Sequence, residues 1–162
     1  MAKRVLELGG DELFATPPEA LYRRLTDLDM LATSIPDLQS SQRVDDRTLR
    51  CVVRPGVSFL RGTLKMEITI TPTDPPRRAE MCVSARGIGA VMQIVSRMDL
   101  EPQDEGTRLV WTARLEKATG LVATVSPTLI QAAAQQVLRN SWSSIRQQLE
   151  QERSADPPEN VP

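Results

Sequence analysis

One stretch dominates what this chain can fold into: the amphipathic run from Ser126 to Gln151. Apolar residues recur at Leu129, Ile130, Ala133, Ala134, Val137, Leu138, Trp142, Ile145 and Leu149, the three-and-four spacing that aligns them on one stripe of a helix. Gln131, Gln135, Gln136, Arg139, Asn140, Arg146 and Gln147 fall mostly between them. The start is marked as well. Ser126 can cap the first free N–H groups, and Pro127 suits the first helical position, where its missing N–H has no partner to lose. A helix of about 24 residues is about 36 Å long, enough to cross a whole sheet. Its stripe requires an apolar partner of matching size.

The preceding chain supplies that partner as strands. Arg4 to Phe14 alternates loosely, with Gly9 and Gly10 predicting a bend or bulge inside a first strand. Thr16, Pro17, Pro18 and Glu19 have the spacing of a capping box opening a short helix to about Leu25. Asp27 or Asp29 can cap a second short helix through Met30, Leu31 and Ala32, which Pro36 ends by disfavouring helical geometry at Ile35. Beyond Pro36 the period becomes two. Gln39–Val44 and Thr48–Arg54 flank a polar turn, Asp45-Asp46-Arg47. Arg61–Thr71 sets Leu64, Met66, Ile68 and Ile70 against Thr63, Lys65, Glu67 and Thr69, and Arg78–Gly87 puts Ala79, Met81, Val83 and Ala85 on one side. Gly87-Ile88-Gly89 reads as a bulge or bend leading into Ala90–Glu101, and Thr107–Lys117 alternates through Leu109, Trp111, Ala113 and Leu115. The order is one strand, two short helices, about six antiparallel strands and one long helix. This predicts an α+β domain whose curved sheet buries its apolar face under the long helix, the only element able to cover it. Such an arrangement leaves room for a cavity.

At 162 residues the chain fits one domain, taken as residues 1–152, followed by a polar, proline-rich stretch, 153–162, expected to be a disordered tail. A net charge of −1 gives no global attraction to nucleic acid. Two Trp, two Phe and one Tyr are too few for a base-stacking platform. The absence of histidine removes the commonest proton-transfer group near neutral pH and the commonest metal ligand, leaving an enzyme only carboxylates, a perturbed lysine or Tyr22. Cys51 and Cys82 each lie in an expected strand without metal-ligand spacing and are expected as buried reduced thiols, a disulfide between them being the less favoured alternative. No cofactor is expected. No apolar run approaches the roughly 18 residues of a membrane span, and a cytoplasmic protein is the expectation.

Phe14-Ala15-Thr16-Pro17-Pro18-Glu19-Ala20-Leu21-Tyr22, followed by Leu25, Asp27, Leu31, Ala32, Ile35 and Pro36, resembles the opening of the SRPBCC or START-like superfamily. The segment Glu105-Gly106-Thr107-Arg108-Leu109-Val110-Trp111, then Gly120 and the long helix with Leu129-Ile130 and Ala132-Ala133-Ala134, is similar to its carbon monoxide dehydrogenase G-subunit branch. The resemblance covers roughly residues 4–150. It implies a helix-grip fold, a seven-stranded antiparallel sheet wrapped around the C-terminal helix and an apolar cavity. It also implies binding of lipids, sterols, polyketides, quinones or similar molecules, with a minority of members catalysing cyclisation or dehydration. Proteins of this branch are associated with molybdenum hydroxylases as maturation or membrane-recruitment partners, and peripheral contact with a membrane stays open.

On this reading the cavity is lined by Met66, Ile68, Met81, Val83, Met92, Ile94 and Trp111 from the sheet and by Ala134, Val137 and Leu138 from the helix, whose small alanines leave space. Ordinary core filling accounts for the methionines, Met98 included, equally well. Asp27, Asp29 and Asp37 lie near the short helices, where an acid or base could work, yet capping and turn formation are sufficient reasons for them. Arg61, Glu80, Arg86 and Arg97 sit within strands; an inward arginine could hold a carboxylate or carbonyl, and alternation turns most of them outward. Three functions follow: a binding protein for a hydrophobic small molecule, an interaction or maturation factor for a molybdenum hydroxylase, and a cyclase- or dehydratase-like enzyme.

Overall fold

The computed structural model describes residues 6–35, 37–54, 62–87 and 89–155. Strand β1 (Leu6–Phe14) is followed by helices α1 (Pro18–Leu25) and α2 (Leu28–Ser34). Strands β2 (Leu38–Arg43), β3 (Thr48–Val53), β4 (Leu64–Asp74), β5 (Arg78–Gly87), β6 (Ala90–Gln103) and β7 (Gly106–Gly120) come next, then a 3-10 turn, Leu121–Thr124, and helix α3 (Pro127–Ala155). The seven strands form one antiparallel sheet in the order β1-β7-β6-β5-β4-β3-β2. This is the helix-grip architecture: each strand from β3 to β7 lies beside its predecessor, the connections being too short for the crossover that parallel neighbours need, and β1 and β2 stand at opposite edges.

Register gives the inner face. Rows of directly opposed residues run Cys51–Met66–Ala85–Met92–Ala118 and Leu49–Ile68–Val83–Ile94–Leu115–Leu6. They hold one face because side chains alternate with period two. At the end of the sheet farthest from these rows, Phe14, Leu21, Tyr22, Met30, Ala79, Leu100, Leu109 and Leu149 form the main core, with Met98, Trp111, Trp142 and Ile145 packed against it. The aromatic rings meet there, Phe14 and Trp111 lying 6.0 and 6.3 Å from Trp142.

Four expectations need correction. The glycines of β1 make no bulge: pairing with β7 continues through Gly9↔Thr112 and Gly10↔Trp111 without a shift. Gly10 is needed because the Trp111 indole lies on it; a Cβ would sit 3.2 Å from the ring. Thr16 and Glu19 make no capping box. Pro17 occupies the N-cap, Pro18 the first turn, and the Thr16 carbonyl instead accepts the Thr107 hydroxyl at 2.7 Å. The long helix is not the only cover, since Leu31 and Ile35 of the α2 segment pack on Leu49, Ile70, Cys51, Ile68 and Val83. Cys82 is exposed on the outer face while Cys51 is buried on the inner one, so the two thiols lie on opposite faces of the sheet with β4 between their strands.

Other features agree. Asp27 caps α2 by accepting from the Asp29 N–H at 2.9 Å, and the Ser126 hydroxyl oxygen accepts from the Leu129 N–H at 3.3 Å at the start of α3. β5 and β6 join through a hairpin closed by Gly87↔Ala90. α3 continues past Gln151 to Ala155, into the stretch expected to be a tail. The rest of that stretch, 156–162, lies outside the described residues, as do Pro36, Arg61 and Ile88.

Candidate functional site

The inner face divides into a closed half and an open half. In the closed half, α3 docks through Leu149, which is 6 % exposed, and through Trp142 and Ile145. Polar contacts fix the same end: Arg146 donates to Glu12 at 2.8 Å and lies 4.8 Å from the Phe14 ring centroid, and Arg24 of α1 pairs with Glu152. One helical stripe carries Ile130, Ala134, Leu138, Trp142, Ile145 and Leu149, so the residues preceding Trp142 are presented to the same side as those that dock. There, however, burial fails: Ile130, Ala133, Ala134 and Leu138 are half-buried, and Leu129 and Val137 are 45 % and 43 % exposed.

The sheet opposite shows the same deficit. Met66, Met81, Met92, Ile94, Leu115, Ala118, Leu6 and Leu8 all point inward by register, and every one of them is only half-buried. An inward apolar row of a filled two-layer domain is ordinarily shielded on both sides. No charged side chain interrupts these rows.

The structure therefore distributes the ten residues named from sequence. Met66, Ile68, Met81, Val83 and Ile94 fall in one apolar cluster, but Ile68 and Val83 are closed over by Leu31 and Ile35, whereas Met66, Met81 and Ile94 remain partly accessible at its margin. Met92 stands in the same row as Met66. Trp111 belongs to the other cluster, beside Trp142. Ala134, Val137 and Leu138 lie on the open half of α3. Sequence reasoning passed over Leu6, Leu8 and Leu115, although their two-residue alternation was visible, because it does not say which strand pairs with which; Ala118, three residues from Leu115, turns inward only through the register shift between Gln93 and Ile94.

Two polar groups of the closed half stand unpaired. The indole N–H groups of Trp111 and Trp142 are both buried without a hydrogen-bond partner among the described residues, a condition that native interiors seldom leave unused. The titratable candidates have structural roles instead. Asp27 caps α2, Asp29 lies 3.9 Å from Arg43, and Arg97 pairs with Glu80 at 3.0 Å on the outer face. The Tyr22 hydroxyl donates to the Arg78 carbonyl at 2.8 Å, and burial pushes its pKa up, aided by Asp74 and opposed by Arg47. Among the described residues no cluster of three His, Cys, Asp or Glu side chains could hold a metal ion, and no helix is long and apolar enough to cross a membrane. A concavity of about 740 Å³ is lined by outward residues of β2 to β7 together with the Cys51–Met66–Ala85–Met92 row.

With this geometry, three comparisons bear on the chain. The model of the carbon monoxide dehydrogenase G-subunit (CoxG) family matches residues 10–150. A search of curated proteins finds no significant match. Among solved structures, a conserved protein from Geobacillus kaustophilus is 20% identical with a TM-score of 0.82, over 90% of this chain and 96% of its own. A START superfamily protein from Mycobacterium smegmatis is 11% identical with a TM-score of 0.65, over 90% and 97%. Ara h 8.0201 is 15% identical with a TM-score of 0.67, over 91% and 99%. Identities this low carry likeness of fold alone.

Proposed function

The chain belongs to the carbon monoxide dehydrogenase G-subunit (CoxG) family, and from that premise we propose that it binds a hydrophobic small molecule, a lipid, a quinone or similar, between the inner face of the sheet and the first half of α3. The observation that carries this reading is the set of inward apolar side chains that the fold leaves half-covered, Met66, Met92, Ile94 and Leu115 on the sheet and Ala134 and Leu138 on α3. A ligand inserted there removes apolar surface from water at about 25 cal/mol per Å². Ile68 and Val83 form the floor and Val137 the rim.

Native mass spectrometry of gently purified protein, followed by organic extraction, tests the reading. A stoichiometric hydrophobic molecule is expected, and bare protein with no thermal shift across a panel of lipids and quinones would count against it. Ala134→Phe gives the matched variant: the ring is expected to fill the space and exclude the ligand with little loss of stability, whereas a tightly packed site would lose about 1–3 kcal/mol from overpacking. The family match also favours a second reading, association with a molybdenum hydroxylase. Co-elution of the two proteins checks it, with separate elution as the opposing result.

A further inference from the structure

The outer face of the sheet carries its charges in complementary register pairs. Arg50 opposes Glu67, Arg78 opposes Asp99, Glu80 opposes Arg97 and Glu101 opposes Arg108. Each closes into an ion pair, at 3.1, 2.5, 3.0 and 3.4 Å respectively. Lys65 and Arg86 break this pattern. They are directly opposed on β4 and β5, and neither forms an ion pair among the described residues. Like charges facing each other across an antiparallel ladder destabilise it, so folding supplies no reason for the pair. Lys117 on β7 adds a third cation without an ion pair among the described residues.

These three cations line the outer concavity of about 740 Å³. Its position follows from alternation: the outward residues on either side of the Cys51–Met66–Ala85–Met92 row line it together with that row, while the inward residues two places along, such as Leu64, Ile68 and Val83, are absent from its walls, which puts the concavity on the outer face. The concavity draws residues from β2 through β7. Six neighbouring strands spaced by about 4.8 Å make it about 24 Å long. Shape thus favours a linear ligand over a compact anion. The only carboxylate in it, Glu67, is held by Arg50. No aromatic ring lines it, which removes the stacking that single-stranded nucleic acid requires. A flat bilayer surface would meet the rims of such a recess and leave its interior unfilled.

We infer that this trough binds an extended acidic peptide segment of a partner protein. About seven residues, at about 3.3 Å each, span it, with carboxylates placed on Lys65, Arg86 and Lys117. The site lies on the other face of the strands from the apolar space, across the row that holds Met66 and Met92, and goes beyond the small-molecule reading.

Fluorescence anisotropy of the whole protein with a labelled octaglutamate, against octaglutamine and at low and near-physiological salt, tests the inference. Octaglutamate is expected to bind, octaglutamine is not, and salt should weaken binding because exposed charges are screened. The double substitution Lys65→Gln with Arg86→Gln is expected to weaken binding at least about tenfold, and Lys117→Gln alone about threefold, while Arg97→Gln, on the same face outside the trough, leaves it within about twofold. Circular dichroism establishes that each variant is folded, and Lys117→Gln reports from a different strand should the double variant misfold. Equal binding of the two peptides overturns the inference, as does an equal loss in Arg97→Gln. Binding of phosphatidylglycerol vesicles through these lysines and arginine, without octaglutamate binding, overturns it in favour of a lipid surface.

Discussion

Gly10 illustrates how one missing side chain fixes a large one. With a Cβ 3.2 Å from the Trp111 ring, and Trp142 6.3 Å from that ring on its neighbouring helix, a branched side chain has no free direction. Gly10→Val is expected to cost about 1–3 kcal/mol by overpacking; denaturant unfolding measures it, and an unchanged midpoint would show that the indole is free to move. The two glycines were plain in the sequence, but a strand glycine signals either a bulge or a close approach, and the choice depends on the residue across the ladder. Buried titratable groups give a second expectation. Burial raises the Cys51 thiol, and burial together with Asp74 raises the Tyr22 phenol. In each case the folded state keeps a proton that the unfolded chain has released. The unfolded state therefore binds fewer protons, and stability falls as pH climbs through the ordinary thiol and phenol ranges. Tyr22→Phe should lose about 0.5–1.5 kcal/mol at neutral pH with the bond to the Arg78 carbonyl, and flatten the alkaline decline in pH-dependent thermal unfolding. An alkaline limb identical in wild type and variant would remove Tyr22 from that account.

At the scale of elements, α3 is one helix with two jobs. Its periodicity made the helix legible, together with Ser126 and Pro127 at its start, but a uniform stripe does not reveal that only the part from Trp142 onward is docked. That division comes from α1, α2 and the strand ends, whose main core meets only the second half of α3. Two truncations separate the halves. Leu149→Ala removes a side chain 6 % exposed among Phe14, Leu21 and Leu109, and should cost about 2–5 kcal/mol. Val137→Ala, at 43 % exposure, should stay within about 0.5 kcal/mol. Chemical denaturation of both variants is the measurement, and comparable losses would mean that α3 packs along its whole length. The short helices were also legible as elements, while their cover of Leu49, Ile68 and Val83 was not, because nothing local in Leu31 or Ile35 states which strands lie beneath.

For the molecule as a whole, the controlling fact is closure between distant parts of the chain. β1 pairs with β7 from Leu6↔Leu115 to Phe14↔Thr107, and α3 returns to β1 and α1 through Arg146–Glu12 and Arg24–Glu152. Alternation established the sheet and its apolar face from sequence. The inner surface beyond β4–β6 was illegible because Leu6, Leu8 and Leu115 join it only when the ends of the chain meet, and the outer trough because it depends on Lys65 standing opposite Arg86. Since every layer includes segments from both ends, no part has a core of its own, and the described domain should unfold in a single cooperative step. Both tryptophans lie where α3 meets the sheet, so their fluorescence reports on that junction, whereas far-ultraviolet circular dichroism reports on all strands and helices. The two denaturation curves are expected to superimpose. If α3 could release its grip while the sheet persisted, the fluorescence transition would come at lower denaturant than the dichroism transition, and the closed half would then be a latch on an independently stable sheet.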